Sequence, residues 1–177
     1  MITKKETNLV IHPLKQGRVK LRMIGNTPII FHRMAEKAKR DLLVGAGKKT
    51  AAQKRDLKHH PDAEFRASIH KTEGETLLGF PASGVKGAMA TAALETAGVN
   101  KTNVNRLIFL PQQKINIWGT PKLFMDVVRS ADMNKTPDIR TRAIVNRWCA
   151  EVDIAFVTPT LSQHSIIALL ANAGMIC

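Results

Sequence analysis

The chain has no tyrosine, and aromatic residues make up only 5% of its 177 positions. An extended platform of stacking rings is therefore not expected. Carboxylates are also scarce. There are 14 Asp and Glu, scattered rather than clustered, so no two-metal nuclease centre is visible. The two cysteines, Cys149 and Cys177, fit neither a disulfide framework nor a zinc motif, and a reducing, cytoplasmic setting is expected. No stretch approaches the ~20 apolar residues of a membrane span. The opening MITKKETNLVIHPLK lacks the apolar run of a secretion signal. There is no Walker loop, dinucleotide fingerprint or G-x-S-x-G, and no cofactor is expected.

What the chain does have is positive charge. Against those 14 carboxylates stand 27 Lys and Arg, a formal charge of +13. Such an excess favours a polyanionic partner, nucleic acid first, and says little about fold. Hydrophobic residues reach 44%, enough at this length for one domain with a real core.

Read in order, Arg18 to Met23 alternates Arg18, Lys20 and Arg22 with Val19, Leu21 and Met23, which predicts a half-buried strand with a cationic outer face. It resumes after Gly25-Asn26 as Pro28 to Phe31. Residues 32–62 read as a basic insertion, carrying Arg33, Lys37, Lys39, Arg40, Lys48, Lys49, Lys54 and Arg55 against few acids. A cationic loop of this kind suits gripping a phosphate backbone. Ala63 to Phe80 reads as a hairpin, with Phe65, Ala67 and Ile69 alternating before a turn at Thr72-Glu73-Gly74. A helix follows with the stripe Val85, Met89, Ala92, Ala93 and Ala97, and Gly98 is expected at its end. Residues 99–106 read as a polar loop, and Lys114–Trp118 and Lys122–Arg129 as strands. Arg140 to Val157 reads as one long strand needing a bulge near Arg147 to Cys149. A last helix is capped by Ser162, presents Ile166, Leu169, Leu170 and Ala173, and is expected to end at Gly174. The apolar Met175-Ile176-Cys177 reads as the start of a further strand or loop, so a C-terminal segment is expected beyond it.

The chain centres on the strand-to-helix junction Phe80 to Ala97. Ser83 is the expected N-cap. Gly84 and Gly87 allow close approach, and Lys86 adds a cation where the helix dipole prefers an anion. Together these describe a phosphate-sized anion site; the alternative is a helix start packed tightly on a sheet. The element order predicts an α+β fold, a ferredoxin-like or RNA-recognition-type antiparallel sheet with two covering helices and the basic insertion.

The stretch Gly79-Phe80-Pro81-Ala82-Ser83-Gly84-Val85-Lys86-Gly87 resembles the I-P-G-S-S-x-K-G junction of the RAMP superfamily, with Pro81, Ser83, Lys86 and Gly87 matching and Ala82 and Gly84 departing. That superfamily includes the backbone subunits of CRISPR effector complexes. The resemblance implies one RAMP-like domain over residues 1–177 that cradles single-stranded nucleic acid, RNA foremost, through its phosphates. It also implies self-assembly along the strand or docking on CRISPR-type subunits. In overall style the chain is similar to phage-encoded proteins. The expected binding residues are Lys20, Arg22, the insertion cations and the turn Ser83, Gly84, Lys86 and Gly87. No catalytic or metal residues are expected. Two alternatives stay open: a histidine-dependent endoribonuclease, with His32 as general base, and a basic phage structural or assembly protein.

Overall fold

A computed structural model describes residues 13–34, 59–129 and 137–176. It is α+β, with antiparallel sheets and four helices among those residues. The elements are β1 (Lys15–Ile24), β2 (Ile29–Ile30), α1 (Pro61–Ser68), β3 (His70–Lys71), β4 (Leu78–Pro81), α2 (Ala82–Glu95), α3 (Lys101–Leu107), β5 (Ile108–Phe109), β6 (Lys114–Trp118), β7 (Lys122–Arg129), β8 (Pro137–Val145), β9 (Cys149–Thr158) and α4 (Gln163–Ile176). The chain divides into two compact units, the first formed by Met1–Lys20, Val85–Pro111 and Asp153–Cys177, the second by Leu21–Gly84 and Gln112–Val152.

In the first unit, Ile154 and Phe156 of β9 are buried, and β5 pairs with β9 at Ile108↔Phe156 and Phe109↔Ala155. Val19 of β1 is buried between exposed Arg18 and Lys20, the alternation read from the sequence. Helix α2 buries Val85, Met89, Ala92 and Ala93, one stripe at helical spacing. Ala97 does not extend that stripe. The helix stops at Glu95, and the chain turns through Gly98 at φ +78°, a conformation that glycine adopts without strain.

Residues 101–107 are helix α3, not a polar loop. The Asn100 side chain caps it by accepting the Asn103 N–H at 2.7 Å. Only Val104 of its seven residues is buried, so no apolar stripe announces it. Ser162 caps α4 as expected, its Oγ accepting the Ser165 N–H at 3.1 Å. Gly174 does not end α4, which runs to Ile176. Its φ is not positive, and nothing within 4 Å opposes helical geometry there.

In the second unit, β4 pairs with β6 from Leu78↔Ile117 to Pro81↔Lys114, β3 pairs with β4, and β6 meets β9 at Ile117↔Ala150. The expected hairpin survives only as β3–β4. Its first limb is helix α1, which has Pro61 in its first turn, Asp62 and Glu64 at its positive end and Arg66 at its negative end.

Helix α1 also takes over an edge. β2 covers β8 for only two residues. Beyond it, Ser68 Oγ accepts the Ala143 N–H at 2.9 Å and Glu64 accepts the Thr141 N–H at 3.4 Å. Two ladder donors that β2 leaves open are thereby satisfied. Burial pushes the Glu64 carboxyl up. Hydrogen bonds from Thr141, His59 and the His60 amide outweigh it and hold the carboxyl below its usual range.

The long strand expected over 140–157 is two strands, β8 and β9. β8 pairs with all eight residues of β7, whereas β9 pairs with β6. Trp148 marks the break. Its carbonyl accepts the Gly25 N–H at 3.0 Å, and its indole Nε1 donates to the Thr27 carbonyl at 2.9 Å. These bonds hold two turns together, where a bulge would have let the strand continue.

Candidate nucleic-acid interface

β1 presents the cations that its alternation predicts. Arg18, Lys20 and Arg22 are exposed. Each arginine meets a carboxylate on β9. In the first unit Arg18 Nε donates to both Asp153 oxygens at 2.8 and 2.9 Å, and its Nη2 forms a further ion pair with Asp153. Asp153 is held below its usual range by the Arg18 hydrogen bond first, with the charges of Arg18 and Lys20 adding to it. In the second unit Arg22 Nη2 donates to Glu151 at 3.0 Å. The β1 face is thus partly neutralised. The two acids could be read from the sequence, since Glu151 and Asp153 alternate with the buried Ala150, Val152 and Ile154.

At the strand-to-helix junction the helix begins at Ala82, so Ser83 lies exposed within its first turn and is not the N-cap. The Ala82 N–H donates to the Gln113 carbonyl at 3.0 Å, which anchors the helix start on the strand side. Gly84 serves packing, because a Cβ there would stand 2.6 Å from the Phe80 ring. These residues belong to the second unit.

Lys86 and Gly87 belong to the first unit. Lys86 Nζ donates to the Asn105 carbonyl at 3.0 Å and sits 5.6 Å from the centre of the Phe109 ring. A cation misplaced at the start of its own helix is therefore well placed at the end of another, α3, and over an aromatic face. Gly87 is exposed, with nothing within 4 Å of a Cβ built there. Gly87→Ala is expected to stabilise the chain by about 0.5–1 kcal/mol through helix propensity. Thermal melting checks this; a destabilised variant would show that Gly87 has a packing role. If a ligand approaches the backbone at Gly87, the same variant loses affinity while gaining stability.

Arg33 donates its backbone N–H to the Ser68 carbonyl at 2.9 Å and leads from β2 towards α1. Lys37, Lys39, Arg40, Lys48, Lys49, Lys54 and Arg55 lie outside the described residues. His32 is exposed on the β2 side of β8. Burial first, then the charges of Arg142 and Arg140, push its imidazole below the ordinary histidine range. His70 is lowered in the same way by burial and by Arg33 and Lys114. Arg140, Arg142 and Phe124 were not among the residues expected from sequence. They sit on β8 and β7 inside alternations that read simply as strand.

A cleft of about 570 Å³ in the second unit is lined by Ile69, Leu77, Leu78, Ile117, Trp118 and Pro121, among others. None of the expected binding residues lines it. Among the described residues there is no cluster of three or more His, Cys, Asp or Glu able to hold a metal ion, and no helix long and apolar enough to cross a membrane. Compared with known proteins, the chain matches no family model and no curated protein.

Proposed function

We propose that the chain binds single-stranded nucleic acid, RNA foremost, chiefly through phosphates, as a non-catalytic protein similar to RAMP superfamily backbone subunits. On this reading its α+β fold is a ferredoxin-like, RNA-recognition-type variant, and copies of it line up along a strand or dock on related subunits. One observation carries the reading. With 27 Lys and Arg against 14 Asp and Glu, at least 13 cations lack a carboxylate even if every acid is paired. Three of the acids are engaged locally, Asp153 with Arg18, Glu151 with Arg22, and Asp138 with Arg140 and His59. They leave the excess for a partner outside the chain.

The test is binding of labelled single-stranded RNA, single-stranded DNA and duplex across a salt series. A single-strand preference is expected, with a log–log salt slope of about −0.7 per phosphate contact. Equal binding to every polyanion, gone by physiological salt, would overturn the reading and favour a basic assembly protein. The endoribonuclease reading has its own support in His32, which burial and two arginines hold in the neutral form a general base needs. The same RNA samples decide it: strand cleavage lost in His32→Ala would make the chain an enzyme.

A further inference from the structure

β2, β8 and β7 lie side by side in the second unit, and their register aligns residues far apart in sequence. Ile30 is opposite Ile144, and Phe124 is opposite Arg142. The β2–β8 ladder continues one residue further, because the Phe31 N–H donates to the Ala143 carbonyl at 2.8 Å. The next residue, His32, follows on the same side of β8, and Arg142 is one of the two charges that act on it. His32, Arg142 and Phe124 thus form a row, Arg142 paired in register with Phe124 and acting on His32 by its charge. Alternation decides which way the row looks. On β2 and β8, Phe31, Ala143 and Val145 are at most 2% exposed and face inward, whereas on β7 Leu123 and Met125, which flank Phe124, are 41% and 54% exposed. His32 and Arg142 face away from that buried side, His32 exposed and Arg142 half-buried, and register puts the half-buried Phe124 on the face of Arg142.

The charges around the row are unequal. Arg140, on the same face, is opposite Asp126, and its Nε lies 3.7 Å from Asp138. Arg142 has no such relief. Among the described residues no carboxylate pairs with it, and its Nε is buried without a hydrogen-bond partner. The charged groups facing His32 are Arg142 and Arg140. An arginine paired in register with a phenylalanine, acting on a nearby histidine and lacking an acid, is arranged for an anion that also carries a flat apolar surface.

We propose that the row is a nucleotide site: Arg142 takes a backbone phosphate, the adjoining base stacks on Phe124, and His32 closes the other side of the phosphate. This rests on the nucleic-acid reading above and names a place for it. The Arg142 N–H groups can point to phosphate oxygens while the base of the same nucleotide lies on the Phe124 ring beside it. Stacking of this kind tolerates any base. When a phosphate arrives, its charge offsets the repulsion from Arg142 and Arg140 that adds to burial in lowering His32, and the imidazole takes up a proton and donates to the anion.

The experiment uses the full chain, an oligouridylate and the same backbone carrying abasic units, each titrated across salt. Arg142→Gln is expected to weaken oligouridylate binding about tenfold near 0.1 M salt and to make the salt slope shallower by about 0.7. Phe124→Leu is expected to weaken oligouridylate binding about fivefold or more and to leave abasic binding unchanged. Should Arg142→Gln fail to fold by circular dichroism, Arg142→Lys decides. It keeps the charge but loses the planar fork, and an affinity loss of about threefold with an unchanged slope supports the site. If wild type binds and the folded variants stay within about twofold of it, the row is not a site, although the general reading stands. If Phe124→Leu weakens both strands alike, stacking is overturned. If wild type binds neither strand, both readings fall together.

Discussion

Gly119→Ala is expected to cost the fold about 3–4 kcal/mol, measured by urea denaturation. Gly119 joins β6 to β7 with φ +155°, a region that residues with a Cβ rarely adopt. A Cβ there would overlap the Val145 side chain, which is fully buried, and would lie 2.7 Å from the Arg147 carbonyl oxygen. Backbone strain accounts for about 1–3 kcal/mol, and an overlap with buried atoms for about as much again. Gly98 supplies the control. Its φ is +78°, but nothing lies within 4 Å of a Cβ, so alanine there should show only the conformational part, about 1 kcal/mol. Gly87→Ala, helical and unobstructed, should change sign. A Gly119→Ala loss below about 1 kcal/mol would mean that the turn relaxes freely, and the tight passage from β6 to β7 would need another explanation.

Glycines also show what the sequence can and cannot announce. Gly98 is legible as a break, and the structure gives it a positive φ that glycine adopts most readily. Gly174 looked like the same signal and was not, since a glycine permits a stop without imposing one. Strands with one buried face were legible wherever period two ran undisturbed: Val19 between Arg18 and Lys20, and Ile115 and Ile117 between Lys114, Asn116 and Trp118. The misses share a cause. α1 and α3 are short, with a single buried residue each, Ser68 and Val104, and are made by end effects: acids at one terminus, an Asn cap at the other helix. The periodicity over 140–157 was real, yet it spans two strands, because alternation does not record which partner a strand pairs with.

The candidate site divides along the same line. Charge was legible, and so was the exposed basic face of β1. Its partial neutralisation by Glu151 and Asp153 required knowing that β1 and β9 are neighbours. Lys86 was conspicuous as a cation at the wrong end of a helix. The remedy, the Asn105 carbonyl, lies on a helix that the sequence did not reveal. His32 lies 92 positions before Phe124 and 110 before Arg142, and only sheet register sets Phe124 beside Arg142.

Replacing Lys48, Lys49, Lys54 and Arg55 together by Gln is expected to give the largest change in binding. These four stand in a stretch of the sequence where cations outnumber acids, and on the proposed reading each meets a phosphate. Every contact contributes about 0.7 to the log–log salt slope, so four contribute about 2.8, and affinity near 0.1 M salt should drop several hundredfold. The prediction is sharp because slope and affinity must move together. A loss of affinity at constant slope would point to altered folding, which circular dichroism reads directly. Unchanged slope and affinity would remove these residues from the interface and leave β1 and the Arg142 row to carry it. A slope falling by only about 0.7 would mean that one of the four touches the strand, and the charge of that stretch would then act mainly at long range, speeding association rather than holding the complex.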